Sequence, residues 1–525
     1  MSVAAILPEW PPHEMLDATR VESMSSDARD YALGHGLVYR MVPAPGELPP
    51  SDAVVHAPMS LMPTPFPRTL YDQGVELQPL YNKLYARVAM DDAFLADVLE
   101  GSVAKVDEFQ RRLYEIWQTV RAEGISQPFQ LGLFRSDYLM HMADDGALAL
   151  KQVEFNTISS SFGALCSVAS DMHNYLLAKG AYEASHPRLN AENLPENQAL
   201  HTLVQGLADA HHHYISTRPG AGRSVNPTVL FVVQPGERNS FDQRALETAL
   251  VKAHGIRVVR QTLEELHESA SLHGAERVLV LQAPLLGNLP VEVSTVYFRS
   301  GYAPADYPSP AAWDARLLLE RSHAIKSPTV ALQLAGAKKV QQVLTEPGVL
   351  ERFLGCDADI VRLSFTELWP LDDSPAGREA LAKVRADPGR YVIKPQREGG
   401  SNNIYRHDIL GALDDMEARD AAKADGDVKE REAYVLMSLI ETPPHRGNLL
   451  LRSGGPRSAT LVQDTVSELG VYGAVLFRRA DTDAEGGDDI ASSHSSGFLL
   501  RTKASDSNEG GVAVGYSVID TPLLV

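Results

Sequence analysis

Residues 228–269 read TVLFVVQPGERNSFDQRALETALVKAHGIRVVRQTLEELHES. Two short apolar runs, TVLFVVQ and IRVVR, alternate with FDQRALETALVKAHG and TLEELHES, whose apolar residues recur at helical spacing. RVLVLQ (277–282) and STVYFR (294–299) continue the series. Short β-branched runs bounded by turn residues form strands, and strands separated by helices pair in parallel through crossovers. The stretch therefore predicts an α/β unit with a parallel sheet.

Working outward from it, FQLGLF (129–134) and LALKQVEFN (148–156) read as strands. Val106, Phe109, Leu113, Ile116, Trp117 and Val120 lie at the spacing of an amphipathic helix on a core. Residues 172–215 look helical and include His211, His212 and His213. Adjacent helical residues point about 100° apart, so these histidines do not converge on one metal. Downstream, Trp313–Leu344 is helical in pattern, YVIKPQ (391–396) and YVLMSLI (434–440) read as strands, and the charged segment 406–433 reads as a solvated helix. VSELGVYGAVLF (466–477) is a further strand, and DTDAEGGDDI (481–490) is an acidic surface loop. The first 70 residues are rich in proline and carry no clear period.

Composition narrows the function. The chain has 525 residues, 48 Lys and Arg against 68 Asp and Glu, and a formal charge of −20. That balance argues against nucleic-acid or anionic-membrane partners, while leaving room for a local basic pocket. Two cysteines, Cys166 and Cys356, provide neither a disulfide framework nor a metal cluster and suit a reducing, cytoplasmic setting. The N-terminus lacks the pattern of a signal peptide, and no run of about 18 apolar residues predicts a membrane span.

Four segments carry chemistry. In KPQREGGSNN (394–403) a strand ends in Lys394 and runs into Glu398, Gly399 and Gly400. Glycines after a strand admit a phosphate chain to backbone amides, a lysine meets its oxygens, and a carboxylate holds the accompanying magnesium. An exposed glycine turn has the same composition. In VEFNTISSS (153–161), Glu154 and Asn156 share one strand face and are hard oxygen ligands; a buried polar pair at a strand end is the alternative. Arg135, in FRSDYL, places a guanidinium at a strand end, suited to a carboxylate or phosphoryl group or to a surface ion pair. Arg501 and Lys503 share a face ahead of Gly510 and Gly511, as in a lid closing on an anion or as in a simple turn.

Together these segments resemble eukaryotic glutathione synthetases, members of the ATP-grasp superfamily. The resemblance runs from about Gly132 to the C-terminal VIDTPLLV, through LGLFRSDYL, KQVEFNTISSSFG, ERNSFDQRA, VYFRSGY, WDARLLLERS, QLAGAKKVQQ, YVIKPQREGGSNNIY, SELGVYG and LLRTKASDSNEGGVA. Before it, PFPRTLY matches more loosely. The resemblance implies a mixed α/β ATP-grasp fold. Residues 1–225 would begin the main body, 226–335 form an inserted parallel-sheet substrate-binding subdomain, and 336–370 return to the body. Residues 371–455 would form a lid, and 456–525 complete the body with a glycine-rich loop.

The resemblance also implies residue roles. Glu154, Asn156 and Glu398 would bind Mg2+. Glu154, Lys338, Lys394, Asn403, Tyr405, Met437, Glu468, Lys503 and Glu509 would surround ATP. Arg135, Ser159, Ser160, Ser161, Asn239, Gln243, Arg299, Tyr302, Arg501, Val512 and Ala513 would meet γ-glutamylcysteine or the product. Arg135, Lys338, Lys394 and Arg501 would carry the catalytic charge, and the assembly would be a homodimer. Three departures from the family pattern stand out: Ser438 where an acid is expected, Ser300 where another is expected, and a longer acidic loop at 481–489.

The implied reaction is ATP-dependent ligation of glycine to γ-glutamylcysteine through an acyl phosphate. Such a reaction needs positioning and charge neutralisation but no protein nucleophile, so Cys166 reads as a packing residue. A ligase using β-alanine, or a non-catalytic nucleotide- or peptide-binding homologue, would share these segments; the intact set Glu154, Asn156, Lys338, Lys394 and Glu398 speaks for the enzyme.

Overall fold

The computed structural model describes the chain apart from residues 1–6, 42–51, 184, 219–225, 284–286, 288, 397–401, 422, 424–426, 445–446, 480–488, 509 and 513–514. The longer strands that place site residues are labelled in chain order: β1 (Phe129–Met142), β2 (Leu148–Asn156), β3 (Tyr391–Pro395), β4 (Tyr434–Ser438), β5 (Thr465–Arg478) and β6 (Ile490–Ala504).

A 14-stranded mixed sheet runs through the molecule. At its centre β1 pairs antiparallel with β2 and β5, and β5 pairs antiparallel with β6. In the stretch 228–269, Thr228–Val232 pairs parallel with Val258–Gln261, and helices Ser240–His254 and Leu263–Ser269 follow these two strands. Leu289–Phe298 joins in parallel, and Ile325–Ser327 links it to β1 through the Lys326–Gln130 pair. The parallel strands thus extend the main sheet. RVLVLQ departs from the expected alternation: Val278–Ala283 is antiparallel to both Ala270–His273 and Leu289–Phe298. Its links on either side are only turn-sized, and a parallel return needs a crossover of a dozen or more residues.

Two apolar layers sandwich the sheet. On one face, Phe134, Tyr138, Phe155, Leu469, Val471 and Leu500 pack under the helix Arg68–Met90 and its neighbours. Phe109, Leu113, Ile116, Trp117 and Val120 are buried on the helix Glu108–Glu123 as their spacing requires. Val106 lies outside that helix, because the Asp107 carboxylate caps it by accepting from Gln110 N at 2.9 Å. On the other face, Leu131, Leu133, Tyr472, Ala474 and Leu499 pack under Gly163–Ala178 and Ala199–Thr217. Residues 172–215 are therefore parts of two helices; Gly180 at φ 85°, Pro187 and Pro195 separate them. His211 is buried with its Nδ1 2.7 Å from Ser294 Oγ, and His213 lies against the Phe129 ring.

A separate four-stranded antiparallel sheet orders Leu368–Pro370, β4, β3 and Ile404–Tyr405. Ile393 and Leu436 pack on the helices Pro375–Ala386 and Asp408–Asp420, the second of which buries Ile409, Leu413 and Met416 and turns its charges outward except for Asp420 at its end, which is buried. The opposite face presents Leu368, Val392, Val435 and Met437.

Candidate functional site

Strand register assembles a charged cluster where the second apolar layer ends. Arg135 and Asp137 are two apart on β1 and share a face. Register sets Arg135 opposite Asn156 and Tyr472, and Asp137 opposite Glu154 and Gly470. Glu468 stands opposite Arg501. Residues from β1, β2, β5 and β6 thereby meet on one face of the sheet.

The contacts are close. Arg135 Nε and Nη2 donate to the two oxygens of Asp137 at 2.6 and 2.8 Å. Arg501 Nη2 donates to Asp137 Oδ2 at 3.1 Å and also to Glu468. Asn156 Nδ2 donates to Asp137 Oδ2 at 3.0 Å and to the Arg135 carbonyl at 3.1 Å. Asp137 is thus the hub of the cluster, a role that its own segment does not reveal. The Arg-x-Asp spacing within FRSDYL was the signal available. Gly470 makes the pairing possible, since a Cβ there would lie 2.6 Å from Arg135 Cδ and 2.7 Å from Asp137 Oδ1.

Glu154 accepts from Lys338 Nζ at 3.0 Å. Burial pushes its carboxyl up, but Lys338, Lys394 and Arg501 outweigh burial and hold it at about 2. Glu468 goes the other way: burial, with Asp137 and Glu154 nearby, raises it against the pull of Arg501. Burial opposes the charge on Arg135, yet Asp137 keeps the guanidinium firmly protonated. Lys338 opens the helix Lys338–Leu344, whose N-terminus disfavours a cation; its ammonium turns to Glu154 instead. Lys394, on the Val392 and Met437 side of its sheet, reaches across to donate to the Val153 carbonyl at 3.0 Å.

The loop after β2 joins this cluster to a second one. Ser159 and Phe162 have φ of 58° and 76°, unusual for residues with a side chain. The Ser161 carbonyl accepts from Arg135 Nη1 at 3.3 Å and from the Tyr472 hydroxyl at 2.6 Å. Arg299 donates to the Ser160 carbonyl at 3.0 Å and to Ser161 Oγ at 2.6 Å. The Asp242 carboxylate accepts from Phe162 N at 2.8 Å and Ala164 N at 2.9 Å, holding the start of the following helix. Next to it, Asn239 Oδ1, Gln243 Nε2 and Arg299 Nε are buried with no hydrogen-bond partner among the described residues. Unmade hydrogen bonds of this kind cost about 1–3 kcal/mol each, and a polar ligand bound here would satisfy them. Tyr302 stands beside it, its hydroxyl accepting from Gln234 Nε2 at 3.0 Å.

Lys503 shares the Arg501 face of β6. Met437 is buried in the apolar face of the smaller sheet, Asn403 donates to the Tyr405 hydroxyl at 3.2 Å, and that hydroxyl donates to the Asn508 carbonyl at 3.3 Å. Val512 is buried in the second apolar layer. Glu398, Glu509, Ala513 and residues 481–488 of the acidic loop lie outside the described residues. Ser438 donates to Glu367 at 3.3 Å, and Ser300 is buried. Cys166 is fully buried, and burial pushes its thiol well up, out of the reactive range.

Known proteins match this chain along nearly its whole length. The model of the eukaryotic glutathione synthase ATP-binding domain matches residues 18–524. Glutathione synthetase of Rattus norvegicus is 39% identical over 509 residues, covering 96% of this chain and 97% of that protein. The glutathione synthetase large chain of Schizosaccharomyces pombe is 36% identical over 516 residues, covering 96% and 97%. In fold, the chain is similar to the apo structure of a glutathione synthetase-like effector from Globodera pallida, with a TM-score of 0.71 and 23% identity over 98% of this chain and 100% of that one. With a charged cluster built on four strands, a second sheet reaching toward it through Lys394 and these matches along nearly its whole length, the chain belongs to the family of eukaryotic glutathione synthetases.

Proposed function

We propose that the chain ligates glycine to γ-glutamylcysteine at the expense of ATP, between the Arg135–Asp137–Arg501 cluster and the smaller sheet. The observation that carries this reading is the gathering of Lys338, Lys394 and Arg501 around the Glu154 carboxylate, with the polar groups of Asn239, Gln243 and Arg299 buried without partners among the described residues. ATP would rest its phosphates on Lys338 and Lys394, with Asn403, Tyr405, Met437, Glu468, Lys503 and Glu509 around the nucleotide. The peptide would take Arg135, Ser159–Ser161, Asn239, Gln243, Arg299, Tyr302, Arg501, Val512 and Ala513. Each cation of the cluster already rests on an acceptor of the chain, which holds it in place before an anion binds.

The oxygens of Glu154 and Asn156 fit Mg2+, and Glu398, outside the described residues, would complete the donor set. Glu154 is ionised at neutral pH, and the Asn156 nitrogen is engaged with Asp137 and the Arg135 carbonyl, which leaves its oxygen as the ligand atom. The bound ion supplies neutralisation of phosphate charge. Arg135, Lys338, Lys394 and Arg501 add fixed positive charge where the transferring phosphoryl group sits, a preorganised contribution that needs no protein nucleophile. Residues 371–455 act as a lid in this reading, closing over an acyl phosphate that water would hydrolyse.

The test is ADP release with each substrate omitted in turn. Sustained turnover that requires both γ-glutamylcysteine and glycine supports the ligase; glycine-independent ATP hydrolysis without peptide product rejects it, and β-alanine outperforming glycine reassigns the acceptor. We also propose a homodimer, checked by light scattering against the 57.2 kDa chain mass. A cytoplasmic setting is proposed from the two unpaired cysteines; among the described residues, no helix is long and apolar enough to cross a membrane.

A further inference from the structure

Asp520, in the C-terminal VIDTPLLV, is fully buried and has no cationic partner among the described residues. A carboxylate withdrawn from water is costly unless donors surround it. Here Ser60 Oγ donates to Oδ1 at 2.7 Å, Thr521 N to Oδ1 at 2.7 Å, Thr64 Oγ1 to Oδ2 at 2.5 Å and Thr502 Oγ1 to Oδ2 at 2.6 Å. Asn448 Nδ2 adds a longer contact at 3.4 Å.

Of these donors, Thr502 bears on the site. It lies between Arg501 and Lys503 on β6, so its side chain leaves the opposite face of the strand from theirs. Its hydroxyl also lies 2.7 Å from Ser467 Oγ, and Ser467 precedes Glu468, which with Asp137 accepts from Arg501. Register completes the arrangement: Val518–Asp520 pairs with β6 through Thr502–Val518, Arg501–Ile519 and Leu500–Asp520. The grip on Thr502 therefore acts at the level where β5 and β6 present Glu468, Arg501 and Lys503. Thr64, on the short strand Thr64–Phe66, contributes the same kind of bond from an element that carries no site residue.

We infer that Asp520 is a positioning residue for the ligase site: holding the Thr502 hydroxyl from the neighbouring strand, on the sheet face opposite Arg501, it sets the height of the β6 segment that presents Arg501 and Lys503. The inference rests on the proposal that Arg501 meets substrate. A shift of about 1 Å in such a group costs up to about a hundredfold in rate.

Matched substitutions test it in the full-length protein. Thr502→Val and Thr64→Val each delete one hydroxyl donated to Asp520 and keep the branched shape. Both are expected to lower the melting temperature by similar amounts. Only Thr502→Val is expected to lower kcat/KM for γ-glutamylcysteine, by about tenfold, while Thr64→Val stays within about twofold. Thr502→Ser restores the hydroxyl and is expected to restore the rate. The Thr502→Val loss is expected to vanish in an Arg501→Ala background. Equal catalytic losses at 502 and 64, a wild-type rate in Thr502→Val, a serine variant as slow as the valine one, or a loss undiminished without Arg501 would each overturn the inference. Should valine at 502 prevent folding, Asp520→Asn with and without Arg501→Ala gives the same comparison. A fully active Arg501→Ala variant would instead remove the role proposed for Arg501.

Discussion

Gly470→Ala tests how the cluster is held. The glycine faces the Arg135–Asp137 pair from the adjacent strand, with no left-handed backbone to explain it. A Cβ would sit 2.6 Å from Arg135 Cδ, 2.7 Å from Asp137 Oδ1 and 3.0 Å from Arg135 Cγ. Ordinary contact needs about 3.5 Å or more, so the arginine stem must move by close to 1 Å. Bonds of 2.6 and 2.8 Å do not survive that shift together. Overpacking of this kind costs about 1–3 kcal/mol, against which alanine regains about 0.5–1 kcal/mol of backbone entropy. The net, about 0–2.5 kcal/mol, is a shift of no more than about two degrees in Tm for a chain of this length. The catalytic cost is larger, because a guanidinium displaced by about 1 Å loses on the order of tenfold to a hundredfold in kcat/KM. Differential scanning fluorimetry and coupled ADP release measure the two effects on the same sample. A variant with the wild-type rate would refute both the steric argument and the role of the Arg135–Asp137 geometry.

Three further outcomes are expected. His173 is fully buried between Thr521 and Ser60, and burial holds its imidazole down at about 4. The unfolded state then binds the extra proton, so the stability that neutral His173 contributes is intact above about pH 6.5 and is lost on acidification, by up to about 3 kcal/mol at pH 4. His173→Gln should flatten that acid limb in urea titrations across pH, and an unchanged limb would refute the assignment. Glu398→Gln should leave peptide binding in place, raise the magnesium requirement and slow turnover at least about tenfold, or about 1.4 kcal/mol of barrier; wild-type rate at wild-type magnesium would remove Glu398 from the metal site. Gly511→Val should impair turnover far more than thermal stability, as expected for a loop that closes on ligands, and full activity in that variant would remove the closing role.

Local signals made the elements legible. The helix Glu108–Glu123 and the parallel strands around residues 228–261 follow from periodicity alone, because burial of one face imposes period on the chain. What periodicity missed was set by connection length and caps: RVLVLQ became a hairpin strand, and Val106 fell outside its helix. Among the site residues, Arg135, Glu154, Asn156, Lys338, Lys394 and Arg501 were nameable through motifs. Asp137, Gly470, Tyr472 and Asp242 were not, since their significance lies in partners on other strands and helices.

By itself, then, the sequence determined the kinds of groups available: hard oxygen ligands, phosphate-binding cations, a glycine-rich loop and the family to which they belong. Only the tertiary structure decided which of them meet. Arg135 and Asp137 lie more than 300 residues from Gly470 and Arg501. Strand register carries them onto one face, and a slip of a single residue would turn every one of these side chains to the opposite face. Register is fixed by burial of the apolar rows on both sides of the sheet, Leu131, Leu133 and Leu499 on one face and Phe134, Tyr138 and Leu500 on the other. That is a property of the packed molecule which no single segment contains.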